Sequence, residues 1–229
     1  MIVTICDYDA LQSQGTNAVA NMSHFDPECR ACTRLACHLQ QVHRQYPTYY
    51  ARPVPAFGDP QARLLVVGLA PGMHGANASG RPFTGDHAGI LLYQTLYDYG
   101  FANRPVSTAQ DDGLVLRDCR ITNAVKCLPP QNKPTTAEVN RCNQYLRSEL
   151  ATVGAGSVIV ALGTVAHRAV VRALQLPQSD YVFAHGRHHR LPERRHLLDS
   201  YHCSRYNTQT GRLTPRMFRR VFAKAANML

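Results

Sequence analysis

The sequence predicts a three-layer α/β/α sandwich built on a central, mainly parallel four-stranded sheet. Short apolar runs rich in Val, Ile and Leu alternate with longer amphipathic segments, which is the signature of repeated strand–helix crossovers. Helix start and stop signals bound those segments, and a loop dense in glycine and proline follows the first apolar run directly.

The elements follow in order. Leu64 to Leu69 opens with Leu64-Leu-Val-Val67 and reads as a strand buried on both faces. A helix is expected around Ile90 to Tyr99, stopped by Gly100. The second strand falls near Arg120 to Val125. Its helix opens on Thr135-Thr-Ala-Glu138, a capping-box pattern, and aligns Val139, Cys142, Leu146 and Leu150 on one face. The third strand is Ser157 to Leu162, followed by Gly163 and a helix to about Leu174; the fourth is His196 to Tyr201. Thr214-Pro215 supplies a cap and a first-turn proline for a final helix. No internal repeat or low-complexity tract interrupts this order.

A chain of 229 residues suits a single domain spanning 1–229, large enough to bury a core unaided. The stretch up to residue 21 is polar and aperiodic and is expected to be disordered. No run reaches the roughly 20 apolar residues a membrane span needs, and no secretory signal is visible, so a cytoplasmic, nucleoid-associated location is expected. Nothing signals an oligomer, and a monomer is expected. The balance of 25 Lys and Arg against 15 Asp and Glu leaves a formal charge of +10. Such an excess, clustered along the chain, favours a polyanion partner and specifically a nucleic acid.

Gly68-Leu-Ala-Pro-Gly-Met-His-Gly-Ala-Asn-Ala-Ser-Gly-Arg-Pro-Phe-Thr-Gly-Asp86 is the stretch with most chemical content. Glycine at this density lets backbone run against a ligand where side chains would collide. The loop carries His74, Phe83 and Asp86. Parallel strands share one carboxyl edge, so this loop, Asn123, Gly163 and His202 are expected on one rim.

Four cysteines form a second constellation: Cys29-Arg-Ala-Cys32, Cys127 and Cys142. They offer the tetrathiolate that either zinc or an iron–sulfur cluster takes, and spacing alone does not separate the two. Cys6, Cys37, Cys119 and Cys203 fall outside that set.

The long glycine-rich motif, together with Ile121-Thr-Asn-Ala-Val-Lys-Cys127 and Tyr201-His-Cys-Ser-Arg-Tyr-Asn-Thr-Gln-Thr-Gly-Arg-Leu-Thr214, resembles the motifs of the type 5 uracil-DNA glycosylases, in the right order from about Cys29 to Pro215. The resemblance implies a monofunctional glycosylase. It would hydrolyse the N-glycosidic bond of uracil in DNA, with other deaminated bases such as hypoxanthine as further substrates, and so initiate base-excision repair. It also implies a structural [4Fe–4S] cluster on Cys29, Cys32, Cys127 and Cys142, with no catalytic divalent metal. Two positions depart from the family pattern: Gly72 stands where alanine is usual, and Cys203 where proline or a small apolar residue is usual. Both substitutes are small, so they bear on pocket shape rather than on the reaction.

The implied site places Gly68, Ala70, Gly72, His74, Phe83, Asn123 and His202 against the base. Phe83 would stack on a flipped pyrimidine, and the Asn123 amide complements a uracil edge. His202 and loop amides would stabilise the anion that develops on the base. Asp86 would orient water or stabilise the cationic sugar. Arg187 and Arg190, in the run from His185 to Arg195, and Arg205, Tyr206 and Arg212 are expected to contact DNA, with Tyr206 as a wedge. Two other readings fit parts of the sequence: a non-catalytic iron–sulfur protein that binds nucleic acid, and a zinc-dependent nucleotide hydrolase. The latter needs an open metal position that four sulfurs do not leave.

Overall fold

A computed structural model describes residues 25–229; the polar stretch up to residue 21, and Cys6 with it, lie outside the described residues. The elements run α1 (Thr33–Gln45), β1 (Phe57–Gly58), β2 (Leu64–Gly68), α2 (Ala76–Ser79), α3 (His87–Asp98), β3 (Cys119–Asn123), α4 (Thr136–Ala151), β4 (Val158–Leu162), α5 (Thr164–Ala173), β5 (His188–Arg190), β6 (His196–Ser200), α6 (Arg205–Gln209) and α7 (Pro215–Ala226).

Strands β3, β2, β4 and β6 are mutually parallel and form the centre of the sheet. The four-stranded expectation needs one correction. Among the described residues the sheet has six strands, ordered β1-β3-β2-β4-β6-β5, because β1 and β5 add antiparallel edges. Each edge strand has only two or three residues, too short to leave a periodicity in the sequence.

The pleat divides the core in two. Leu64 and Val66 of β2, with Val158, Val160 and Leu162 of β4, pack towards α3 and α7 against Leu92, Leu96, Phe218 and Phe222. Leu65 and Val67, with Ile159 and Ala161, pack on the other face towards α4 and α5 against Leu146, Leu150, Ala166 and Val170. This is the period-two alternation of strands covered on both sides. The capping box of α4 is formed: Thr135 Oγ1 accepts from Glu138 N–H, and the Glu138 carboxylate accepts from Thr135 N–H. Thr214 caps α7 through Met217 N–H, ahead of Pro215.

Sheet order sets where a site can form. From β2 the chain goes to β3 on one side, then to β4 on the other, so the carboxyl ends of β2 and β4 flank a topological switch point. Register continues past the strand: Gly68 lies opposite Asn123, Ala124 N–H donates to Gly68 O, and Val125 N–H donates to Leu69 O. The two exits therefore run side by side, and Asn123 stands beside the start of the glycine-rich loop.

A buried ion pair backs that exit. Lys126 Nζ stands 2.7 Å from Glu149 Oε1 on α4 and also contacts Thr122 Oγ1, with Lys126 1% exposed. Removing one member of such a pair strands the other charge in the core. Lys126→Met is expected to cost about 3–5 kcal/mol in urea unfolding, much of it recovered when Glu149→Leu is added.

Candidate active site

A cavity of about 420 Å³ opens at the switch point. Leu69, Ala70 and Gly72 of the glycine-rich loop, Phe83 and Asp86 at its end, Asn123 after β3, Gly163 and Thr164 after β4, and His202 and Arg205 after β6 line it. Four chain segments far apart in sequence meet there because all leave the sheet at its carboxyl edge.

Asp86 is held by absence of bulk. It is the N-cap of α3, yet its carboxylate does not cap that helix. It turns instead towards Gly72, Gly75 and the first turn of α2, where Oδ2 accepts a 3.3 Å hydrogen bond from Ala76 N–H. A β-carbon on Gly75 would overlap Asp86 Oδ1 and Cγ, and one on Gly72 would overlap Oδ1. Alanine at position 72 would thus push the carboxylate outward. Burial raises the Asp86 carboxyl above its ordinary value, offset in part by the Ala76 N–H bond.

Phe83 and Asn123 share a second close approach. A β-carbon on Gly68 would overlap Asn123 Oδ1 and stand 2.7 Å from Phe83 Cζ. Phe83 itself adopts φ +58°, a strained conformation for an aromatic residue. Its neighbours fix it: Pro82 O accepts from Tyr93 Oη at 2.6 Å, and Thr84 Oγ1 shares a 2.6 Å hydrogen bond with Ser107 Oγ. Arg81 is buried against Asp112 at 2.8 Å. Asn123 is 3% exposed, and its Oδ1 is buried without a hydrogen-bond partner among the described residues. A polar atom left in this state is unusual in a folded interior.

His202 faces Phe83, with ring centroids 6.0 Å apart and planes 25° from parallel. Burial lowers its imidazole to about 4, so it is neutral at physiological pH.

His74 is placed differently. Its side chain is exposed, its Nδ1 shares a 2.8 Å hydrogen bond with Tyr49 Oη, and it does not line the cavity. Among the residues expected on DNA, Arg205 lines the cavity mouth and Tyr206 beside it is 70% exposed. Arg212 stacks its guanidinium 4.7 Å from the Tyr201 ring. Arg187 lies opposite Asp199 near the rim end of β6, its carbonyl accepting from Asp199 N–H. Arg190 pairs with His196 at the amino end of β6, and Arg195 is buried. The basic run from His185 to Arg195 therefore flanks the cavity only in its first half, because β5 carries it antiparallel, away from the rim.

Sequence reasoning passed over Asn132, Thr164, His87 and Ser204, which also line the cavity. Asn132 arrives through the Pro129-Pro130 turn, where it takes φ +57°; the prolines signalled the turn but not its direction.

The cysteines gather as a second site. Cys29, Cys32, Cys127 and Cys142 bound one small cavity with Leu35, Pro53 and Tyr145. All four are free thiols, and Lys126 N–H donates to Cys142 Sγ at 3.2 Å. Burial pushes the Cys142 thiol up to about 11 and raises Cys32 and Cys127 as well.

The Uracil DNA glycosylase superfamily model matches residues 55–226, a span that contains every cavity-lining residue. The chain belongs to that superfamily. It is 47% identical over 206 residues to a type-5 uracil-DNA glycosylase of Thermus thermophilus, covering 87% of this chain and 93% of the relative. It is 43% identical over 202 residues to the type-5 enzyme of Pyrobaculum aerophilum, covering 86% and 88%. A type-4 uracil-DNA glycosylase of Archaeoglobus fulgidus is 32% identical over 143 residues, 62% of each chain.

The packing of Asp86 against Gly72 and Gly75 has a stability consequence. Folding raises the Asp86 carboxyl, so the folded state favours the neutral form, and an ionised Asp86 at neutral pH destabilises the fold. Asp86→Asn is therefore expected to raise the melting temperature at pH 7 and to lose that advantage as pH falls and Asp86 protonates. Differential scanning calorimetry at pH 7 and pH 4 reads both.

Proposed function

We propose that this protein is a monofunctional uracil-DNA glycosylase that starts base-excision repair. The observation that carries the reading is the convergence of Asp86, Asn123, Phe83 and His202 on one cavity at the switch point of a superfamily fold.

In this reading a uracil leaves the duplex, at a cost of a few kcal/mol, and enters the cavity. Phe83 stacks on the ring. Asn123, whose Oδ1 lacks a protein partner, exchanges hydrogen bonds with the uracil edge and so discriminates it from bases with another donor and acceptor order. The C1′–N1 bond breaks with its electron pair left on the base. His202, neutral, donates a hydrogen bond to the oxygen on which that charge collects. Water forms the new bond to C1′, oriented by the Asp86 carboxylate, which also faces the cationic sugar. The proton released by water passes to Asp86 or to solvent. Gly68, Ala70 and Gly72 supply the close backbone wall, and Arg187, Arg205, Tyr206 and Arg212 the DNA-facing surface. Hypoxanthine presents a carbonyl in a comparable position and is the next substrate to expect. Such an enzyme works as a monomer beside the genome, inside the cell.

Cys29, Cys32, Cys127 and Cys142 would hold a [4Fe–4S] cluster. They line one small cavity, Cys142 buried and the other three half-buried, with a backbone N–H already aimed at Cys142 Sγ, and four thiols so gathered suit a thiolate-ligated centre. When bound, the cluster supplies a covalent cross-link between the segment before α1, the β3 exit and α4. His74, exposed beside Tyr49, contacts the DNA backbone rather than the base in this reading.

The test is cleavage of labelled duplexes carrying one uracil, hypoxanthine or thymine opposite guanine, followed by alkali. Alkali-dependent breaks at uracil are expected, reduced at least a hundredfold in Asp86→Asn and strongly in Gly68→Ala. Absence of breaks at every base, with DNA still bound, would reject catalysis. For the cluster, about four irons per chain and a broad absorption near 400 nm are expected, both lost in Cys127→Ser with weaker thermal stability. Zinc in place of iron would reject the cluster.

A further inference from the structure

Behind the cavity wall lies a buried cluster that the proposed reaction does not use. Asp199 on β6 is 0% exposed and His167 on α5 1% exposed. Asp199 Oδ1 stands 2.6 Å from His167 Nδ1, and Oδ2 stands 3.0 Å from His189 Nε2 on β5 and 3.2 Å from Ala184 N. The other nitrogen of His167, Nε2, is 2.6 Å from the carbonyl oxygen of Tyr181.

Proton counting puts one proton between His167 Nδ1 and Asp199 Oδ1. A carbonyl oxygen only accepts, so His167 Nε2 carries a proton and donates it. If His167 were neutral, its Nδ1 lone pair would then face a carboxylate oxygen at 2.6 Å. Asp199 Oδ2 accepts from Ala184 N–H and lies 3.0 Å from His189 Nε2. A proton on Nδ1 resolves the contact and makes His167 an imidazolium, paired with Asp199 and satisfied at both nitrogens. The alternative is a metal ion, since the three ligand atoms lie within 4.8 Å of one another. Separations of 2.6 and 3.0 Å are those of direct hydrogen bonds.

The pair ties together the elements that end at the active site. His167 N–H donates to Gly163 O, and Gly163 N–H donates to Ser200 O at 2.8 Å, joining the start of α5 to the end of β6. Tyr201 N–H donates to His185 Nδ1 at 3.1 Å. His185 lies one residue past Ala184, and its ring stacks on Tyr201 at 5.0 Å. The next residue is His202, whose ring has no hydrogen-bond partner among the described residues. Its position is therefore inherited from the backbone that carries it.

We propose that the His167 imidazolium–Asp199 pair is the positioning device for His202, setting the end of β6 against α5 and the 181–187 loop. The proposal rests on His202 acting in base excision as described above. Three measurements test it. In protein labelled with ¹⁵N-histidine, both His167 nitrogens are expected to carry protons at pH 7. In single-turnover excision at saturating enzyme, Asp199→Asn and His167→Gln are each expected to slow the reaction about tenfold with duplex affinity unchanged. The double variant is expected to be no slower than the worse single one, because the pair acts as a unit. Should a core variant fail to fold, His185→Ala breaks only the last link and is expected to slow excision several-fold.

A His167 ring with one protonated nitrogen, whether neutral or metal-bound, overturns the ion pair. Folded variants with wild-type single-turnover rates overturn the positioning role, as does an unchanged rate in His185→Ala. If the wild-type protein excises no uracil, the functional reading fails instead, and the nitrogen spectrum still reports on the pair.

Discussion

The packing of the Asp86 carboxylate onto the bare backbone of Gly72 and Gly75 is the constraint on which the site depends. A side chain at position 75 has nowhere to go, and an alanine at position 72 would move the carboxylate. The same economy recurs at Gly68, where the missing methyl lets Phe83 and Asn123 close on the end of β2. Desolvation follows from this closeness. It raises the Asp86 carboxyl and keeps His202 neutral, giving one acidic and one uncharged donor group across a single cavity. Environments that push two titratable groups in different directions are how one fold holds two chemical roles.

The surroundings work to keep that geometry. Phe83 stays at a positive φ because its flanking residues are tied to α3 and to the Arg81–Asp112 pair. On the other wall, a second buried pair, Lys126–Glu149, fixes the exit of β3, and Asp199 with its two histidines fixes the exit of β6. Each wall of the cavity is thus backed by buried charge, which is costly to desolvate and destabilising to disrupt. This distribution leaves stability concentrated behind the site and strain concentrated within it.

Much of this was legible in the chain. The four parallel strands were visible because strands covered on both faces are apolar throughout, and α4 and α7 because their caps are chemical signatures. The meeting of the glycine-rich loop, Asn123 and His202 followed from topology alone. What escaped notice shares a physical cause. The edge strands β1 and β5 are too short for a period, and the buried pairs join residues distant in sequence, such as His167 and Asp199. The placement of His74 against Tyr49 and the turn of Arg190 away from the rim depend on loop direction, which composition does not encode. The basic run was read as one surface, yet β5 divides it between the two ends of the sheet.

The most direct test of the account is the titration of the Asp86 carboxyl carbon, followed by ¹³C NMR in selectively labelled protein and assigned through Asp86→Asn. Packing against glycine backbone in a desolvated cavity predicts a midpoint above the ordinary aspartate value, falling back towards it in Gly72→Ala as the carboxylate is pushed outward. A wild-type midpoint at or below the ordinary value would contradict the claim that the glycine cradle sets the chemistry of the site.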